Sequence, residues 1–260
     1  MCPELFNLGP LSIKTYGFFV ALGFAAAIYY LSRQAAKQAL SVETILDLGL
    51  YILLSGLIGA RAIYVALNWG FYRSNLLEIF FIWSGGLVLY GGVVTAFIAV
   101  FFYLRKKKYD ILKFADLFSP AFFLGLAIGR IGCLCAGCCY GRPTTGFWGI
   151  VFSNTKAFAP LNIKLVPTQI LESLFSFIVF VFTHYLNRKK IFNSQTFFTA
   201  IIIYSLWRFF IEFFRGDDRG PMIFNRLYPS QFISILFLVI SSVSLYYLWK
   251  KNLRQYPGQE

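Results

Sequence analysis

Long apolar stretches alternate with short polar ones along almost the whole of this chain. Seven of them cover the roughly 17 to 25 residues that a transmembrane helix needs. They are rich in Phe, Ile, Leu and Val and lack strict polar–apolar alternation, which favours helices over the strands of a membrane barrel. The predicted spans lie at about residues 16–32, 46–67, 86–104, 112–129, 168–186, 196–214 and 231–249.

The composition agrees with a membrane protein. Of the 260 residues, 58% are hydrophobic and 13% are charged, whereas soluble domains carry nearer a quarter charged residues. The 31 Phe, 16 Tyr and 5 Trp exclude a disordered chain. We therefore predict an all-α fold, a polytopic membrane helical bundle with seven transmembrane helices. It forms a single membrane domain over residues 1–260, with a small extracytoplasmic head at residues 129–167.

The positive charge is concentrated in short segments that follow every second span. The net charge is +13, and the positive-inside rule places such basic segments in the cytoplasm. The amino terminus is then outside and the carboxyl terminus cytoplasmic, with the first span retained. This topology accounts for the charge without nucleic-acid binding. The clusters are Arg33 and Lys37; Arg105, Lys106, Lys107, Lys108 and Lys113; Arg188, Lys189 and Lys190; and Lys250, Lys251 and Arg254.

Six ionisable residues interrupt the apolar spans. Each would cost a few kcal/mol if it faced lipid, so we expect each to face the interior of the bundle or a cavity. Arginine forks suit phosphate oxygens, which indicates a site for an anionic phospholipid headgroup, although pairing within the bundle is the alternative. The six are Arg61, Asp116, Arg130, Glu172, Arg208 and Glu212.

Two segments, 84–92 and 129–144, are dense in glycine where the chain is otherwise bulky. Glycine lets helices approach each other closely, and it also lets a loop present backbone amides to a phosphate. Both interpretations stay open at this point.

Taken together, these residues resemble the prolipoprotein diacylglyceryl transferases of the bacterial inner membrane. The resemblance covers most of the chain, and its most specific part is the combination of Gly-Arg-x-Gly with Arg-x-x-x-Glu-Phe-Phe-Arg. The matching positions are Tyr16, Gly17, Gly59, Arg61, Trp83, Gly85, Gly86, Gly91, Gly92, Gly129, Arg130, Gly132, Gly137, Gly141, Arg142, Pro167, Thr168, Gln169, Glu172, Tyr204, Arg208, Glu212, Phe213, Phe214, Arg215 and Gln231.

The resemblance implies transfer of the diacylglyceryl group of phosphatidylglycerol to a lipobox cysteine thiol of a prolipoprotein. Its implied partners are phosphatidylglycerol, the prolipoprotein signal peptide and the inner membrane, with no cofactor, no metal and no nucleic acid. Catalytic roles would fall to Arg130 and Arg208, placed by Tyr16, Tyr204 and Glu212. Substrate-binding roles would fall to Arg142, Arg61, Gly91, Gly92, Gly132, Gly141, Gln169 and Glu172.

This chain departs from the family pattern around the expected thiol acceptor. Tyr90 stands where the family carries a His, so a phenol is the candidate base in place of an imidazole. Cys133, Ala136 and Cys138 replace the family's asparagines and acid. Val166 and Leu171 replace a further His and a Tyr. The alternative function is a membrane protein that keeps the scaffold for phospholipid binding or thiol-redox work.

Four cysteines, Cys133, Cys135, Cys138 and Cys139, lie within seven residues of the predicted extracytoplasmic head. A disulfide, a catalytic or redox thiol, a metal site and free buried thiols are all compatible with them. The spacing is unlike the two separated C-x-x-C knuckles of common zinc sites. Sequence alone does not choose among the pairings.

Overall fold

The computed structural model describes residues 3–8, 11–37, 41–82, 85–220, 222–223 and 226–255. Within these ranges, seven helices are long and apolar enough to cross a membrane. The predicted all-α membrane bundle is therefore confirmed. Trp83, one of the positions that carry the resemblance, lies outside the described residues.

Each predicted span corresponds to one long helix. The helices are α1 (Thr15–Lys37), α2 (Val42–Leu67), the four-residue α3 (Trp69–Tyr72), α4 (Leu89–Lys106), α5 (Ile111–Ala136), α6 (Thr168–Lys189), α7 (Gln195–Ile211) and α8 (Pro229–Gln255). Short 3₁₀ helices occupy Leu76–Phe80 and Glu212–Phe214. Two antiparallel strand pairs complete the elements, β1 (Glu4–Leu8) with β2 (Leu11–Lys14) and β3 (Ile150–Val151) with β4 (Lys164–Leu165).

Helix α5 continues to Ala136, beyond the predicted end of its span at 129. Two of the glycines that suggested a loop, Gly129 and Gly132, are helical here. A Cβ at Gly132 would lie 2.9 Å from the Cβ of Phe19, so this glycine lets α1 approach α5 closely. The helix stops at Gly137, which has a φ of +77° and donates its N–H to the carbonyl of Cys133. The predicted head at 129–167 therefore begins with two turns of helix.

The described residues form two compact units, one of residues 31–114 and the other of residues 1–30 and 115–260. In the first unit, α2 and α4 pack through their glycines. A Cβ at Gly91 would lie 2.5 Å from the carbonyl oxygen of Gly59, and one at Gly92 would lie 2.8 Å from that of Gly56. Gly91 and Gly92, predicted to bind substrate, thus allow close helix packing.

Arg61, also predicted to bind substrate, is buried in this first unit and bonded to the backbone. Its Nε donates to the carbonyl of Ile79 at 2.8 Å, and its terminal nitrogens donate to the carbonyls of Glu78, Gly85 and Gly86. The guanidinium therefore holds the backbone at residues 78–79 and 85–86 against α2, and this structural role explains its place in an apolar span.

In the second unit, Asp116 fixes the start of α7. Its side chain is fully buried, and it accepts hydrogen bonds from the backbone N–H groups of Ser194 and Phe197 at 2.7 and 2.9 Å. The ammonium of Lys190 lies 2.8 Å from the same carboxylate. One of the six intramembrane charges is thus a structural cap for the first turn of α7.

Residues 137–167 fold onto the end of α5 as a small head. Phe152, Ala159 and Leu165 form its buried centre, and Leu134 of α5 packs against them. The segment is also tied to α7 and its 3₁₀ extension, because the N–H of Arg142 donates to the carbonyl of Phe214 at 2.8 Å. The head therefore sits where α5 ends and α6 begins.

Candidate active site

A buried carboxylate joins arginines from three segments of the second unit. Glu172, in the first turns of α6, lies 2.6 Å from Nε of Arg130 near the end of α5 and 3.4 Å from a terminal nitrogen of Arg208 near the end of α7. The Arg130 contact is an ion pair without an aligned hydrogen bond. Arg215 approaches the same carboxylate at 4.0 Å. Three of the predicted site residues are thus brought together.

A second carboxylate, Glu212, extends this network. It is fully buried and lies 3.0 Å from Arg208, four residues earlier on the same face. It also pairs with Arg219 at 2.7 Å and accepts a hydrogen bond from the hydroxyl of Ser230 in α8. Glu212 therefore holds Arg208 between two carboxylates, and its placing role in the reaction stays a prediction.

Arg215, Asp217 and Arg219 belong to the network, although no site role was predicted for them. Arg215 makes a two-pronged contact with Asp217 at 2.9 and 2.6 Å. Burial opposes the charge of Arg215, but the Asp217 carboxylate raises its pKa above the ordinary value. The charge-dense run from 215 to 219 was the available sequence signal. Arg142 lies at its edge, exposed, with Nε donating to the carbonyl of Arg215.

Four arginines and three carboxylates therefore meet in this region. Each arginine is paired with a carboxylate, yet the net charge of the seven side chains is positive. A positive net charge suits the binding of an anion. The ion pair of Arg130 with Glu172 uses Nε, and among the described residues no hydrogen bond or ion pair is found at its two terminal nitrogens. Arg130 is thus the arginine best placed to take a further ligand.

An apolar groove runs along α5 and α6 to this arginine. Its volume is about 580 Å³, and its polar lining includes Arg130 and Gln169. The remaining walls are mostly aliphatic and aromatic, formed by Leu124, Ala127, Ile128, Ile131, Leu134, Ile170, Leu174 and Phe177. A groove with mostly apolar walls and one cationic side chain fits an acyl chain with an anionic headgroup.

Three thiols lie together at the end of α5. The sulfurs of Cys133, Cys138 and Cys139 are all within 4.8 Å of one another, and Cys135 is outside this group. Hydrogen bonds from the Cys133 and Cys138 thiols, with the nearby charge of Arg215, hold the pKa of Cys139 below its usual range. The same shared protons and burial raise the pKa of Cys138.

The other predicted site residues divide between the two units. Tyr16 interacts electrostatically with Cys133 and Arg130, and Tyr204 interacts with Arg130 while its ring meets that of Phe123 edge-on. Gly141 packs so closely that a Cβ would lie 2.5 Å from the carbonyl oxygen of Val166.

Tyr90 is the second residue of α4 in the first unit, with 68% of its surface exposed in the single chain. Its role as a base remains a prediction. Arg61, Gly91 and Gly92 lie in this same unit, in the structural roles described above.

The model of the family described as prolipoprotein diacylglyceryl transferase matches residues 3–247. The chain belongs to this family. A phosphatidylglycerol–prolipoprotein diacylglyceryl transferase of Clostridium tetani (strain Massachusetts / E88) is 38% identical over 92% of this chain and 95% of the relative. A second protein of that name from Finegoldia magna is 36% identical over 95% of this chain and 96% of the relative.

A third relative, from Clostridium perfringens (strain 13 / Type A), is named phosphatidylglycerol–prolipoprotein diacylglyceryl transferase 2. It is 34% identical over 99% of this chain and 98% of its own length. The sequence resemblance to the diacylglyceryl transferase family is therefore confirmed, and with it a multi-pass membrane protein of the transferase class.

Proposed function

We propose that this chain transfers the diacylglyceryl group of phosphatidylglycerol to the lipobox cysteine thiol of a prolipoprotein. The observation that carries the proposal is the position of Arg130. This arginine lines the apolar groove of α5 and α6, pairs with the buried carboxylate Glu172, and interacts electrostatically with Cys133 and Cys139.

The groove and the arginine match the two parts of the lipid. An apolar groove lets an acyl chain of the bilayer enter while it keeps apolar surroundings, because lipid tails and apolar side chains are similar environments. The phosphate would then lie at Arg130, whose terminal nitrogens form a planar fork that complements phosphate oxygens. Arg208 lies on the other side of Glu172 and supplies a second cation.

The reaction needs stabilisation of negative charge. The acceptor sulfur attacks the glycerol carbon that carries the phosphate ester, the C–O bond breaks, and glycerol phosphate leaves with the bonding electrons. Arginines that are already fixed by Glu172 and Glu212 stabilise this leaving group without reorganising, which is the usual source of large electrostatic catalysis. Glu172 and Glu212 position the cations and do not contact the reacting atoms.

The orientation in the inner membrane follows from the basic segments. Glu172 lies near the start of α6, and Arg188 and Lys189 end the same helix, so the arginine network and the basic pair are at opposite ends. With the basic pair in the cytoplasm, the network faces the outer side, the amino terminus is outside and the carboxyl terminus is cytoplasmic.

This orientation can be tested by labelling intact cells with a membrane-impermeant thiol reagent after mild reduction, locating the label by mass spectrometry. The cysteines at 133–139 should be labelled, and a cysteine introduced by Lys106→Cys should not. The opposite pattern would contradict the orientation.

The activity is tested with purified protein, phosphatidylglycerol and a lipobox peptide, with thioether product measured by mass spectrometry. Arg130→Lys and Arg208→Lys keep the charge and lose the planar fork, so turnover should fall by about 100-fold, the usual scale for one lost transition-state donor. Arg188→Lys, exposed at the far end of α6, is the matched control and should remain active. Normal turnover in both site variants would exclude the assigned role, and an inactive wild type would favour lipid binding without transfer.

A further inference from the structure

The three-thiol group of Cys133, Cys138 and Cys139 has a geometry that the sequence spacing concealed. Cys133 lies in the last turn of α5, and the other two cysteines lie in the turn that follows it. All three sulfurs are within 4.8 Å of one another. Tetrahedral zinc with Zn–S bonds near 2.3 Å requires sulfurs about 3.8 Å apart. A contraction of about 1 Å would therefore bring these three to zinc-ligand spacing.

The turn that carries two of these thiols is held in place from α6. The Nε2 amide of Gln169 donates to the carbonyl of Cys138 at 2.8 Å, and the Oγ1 hydroxyl of Thr168 donates to that of Cys139 at 2.7 Å. Cys139 itself has a φ of +58°, in the left-handed region that side chains other than glycine rarely adopt. Such strain persists where surrounding contacts fix the backbone, and it is characteristic of functional sites.

Two guanidinium groups lie close to the sulfurs of this group. Arg130 and Arg215 both interact with the sulfur of Cys139, and Arg130 also interacts with that of Cys133. These guanidinium groups offset the excess negative charge of three thiolates around a divalent cation. Cys133 is buried and the other two are half-buried, so the group is not fully enclosed by the described residues.

We propose that Cys133, Cys138 and Cys139 bind one Zn²⁺ ion, whose open fourth position takes the lipobox thiol as a thiolate. Three protein ligands with one open position are the pattern of catalytic rather than structural zinc. Metal coordination deprotonates a thiol outright. This supplies the acceptor activation that a His would otherwise provide at the position of Tyr90, and this catalytic part rests on the proposed function.

The step balances without any change of oxidation state. The lipobox S–H bond breaks when the sulfur coordinates zinc, and its proton passes to solvent. The zinc-bound sulfur then forms the C–S bond as the C–O bond to the phosphate breaks, and glycerol phosphate leaves with that electron pair. Zinc remains divalent throughout, and no oxidant or reductant takes part.

Metal binding is tested first, with full-length reduced protein in detergent, stripped by a chelator and titrated with zinc chloride. We expect one equivalent of Zn²⁺ per chain, and a cadmium–thiolate charge-transfer band when Cd²⁺ replaces it. We expect no bound Zn²⁺ in the single variants Cys133→Ser, Cys138→Ser and Cys139→Ser. Cys135→Ser, on the same helix as Cys133, should still bind one equivalent. Each serine variant should still bind phosphatidylglycerol, which shows that it is folded.

A wild type that binds no zinc, or a triple-serine variant that binds as much as the wild type, would overturn the site. So would a disulfide among the three cysteines in protein that was alkylated at the moment of extraction. Zinc binding with no transfer under any condition would leave the site standing and contradict the proposed function instead.

The catalytic part is tested by pH. An uncoordinated thiol of pKa about 8.5 is roughly 3% ionised at pH 7, so removing zinc should lower turnover about 30-fold there. The loss should shrink toward pH 9 as the free thiol ionises, and zinc should restore activity at pH 7. Transfer that is insensitive to chelation at pH 7 would contradict a catalytic metal while leaving the proposed function intact.

Discussion

Replacing Glu172 by Gln removes the carboxylate that three arginines of the second unit share. The side chain of Glu172 is 5% exposed, and its oxygens lie 2.6 Å from Arg130, 3.4 Å from Arg208 and 4.0 Å from Arg215. Removing one partner of a buried ion pair leaves uncompensated charge and costs about 3–5 kcal/mol. We expect Glu172→Gln to lower the free energy of unfolding by an amount in this range.

Of the three arginines, Arg130 should be affected most by the loss of the Glu172 carboxylate. Arg208 retains Glu212, and Arg215 retains Asp217, whereas the ion pair of Arg130 among the described residues is with Glu172. Two unit charges 4 Å apart at an effective dielectric constant of 20 attract by about 4 kcal/mol, which matches the expected cost. Arg130 and Glu172 should therefore be energetically coupled.

A double-variant cycle measures this coupling. Glu172→Gln, Arg130→Gln and the double variant are unfolded reversibly in mixed micelles with increasing denaturing detergent, and helicity is followed by circular dichroism. The double variant should be more stable than the sum of the single effects predicts, by about 2–3 kcal/mol. Glu43→Gln, exposed in the first turn of α2, is the control and should change stability little. Additive effects, or a Glu172→Gln variant as stable as the wild type, would refute this reasoning.

Two other predictions concern the scaffold and use the same unfolding assay. Gly91→Ala should lower the free energy of unfolding by about 1–3 kcal/mol, because its Cβ would lie 2.5 Å from the carbonyl oxygen of Gly59. Gly70→Ala is the matched control, because a Cβ there would have nothing within 4 Å. A neutral Gly91→Ala would show that α2 and α4 can move apart freely. Asp116→Asn should lower the free energy of unfolding by about 3 kcal/mol, because it loses the ion pair to Lys190 and weakens the cap of α7. Unchanged stability would contradict the capping role.

The sequence was most informative where the bilayer itself restricts the chain. Apolar length predicted all seven spans, because a helix must cross a fixed thickness of hydrocarbon. The same restriction identified Glu172, Arg208 and Glu212, since charges inside a span need partners. It did not distinguish a structural partner from a ligand. Arg61 and Asp116 have the same sequence signal as Arg130, yet their partners are backbone groups and a lysine.

The end of α5 was predicted less well, because glycine is compatible there both with a closely packed helix and with the end of a helix. Gly132 lies inside the helix and allows close packing, whereas Gly137 five residues later ends it with a positive φ. Residue type alone does not separate these roles. The grouping of three sulfurs was equally hidden, since it depends on where the helix stops and on hydrogen bonds from Thr168 and Gln169.

Gln169 connects the two halves of the proposed reaction. Its side chain lines the apolar groove together with Arg130, and its Nε2 amide donates a hydrogen bond to the carbonyl of Cys138 in the turn after α5. Its Oε1 is buried with no partner among the described residues, so a ligand that enters the groove could supply the missing donor. In the proposed reaction, this one side chain would contact both the lipid headgroup and the turn that carries Cys138. In the proposed reaction, a change of acceptor chemistry would then be confined to the turn after α5, while the arginines proposed to bind the phosphate and the carboxylates that position them stay unchanged.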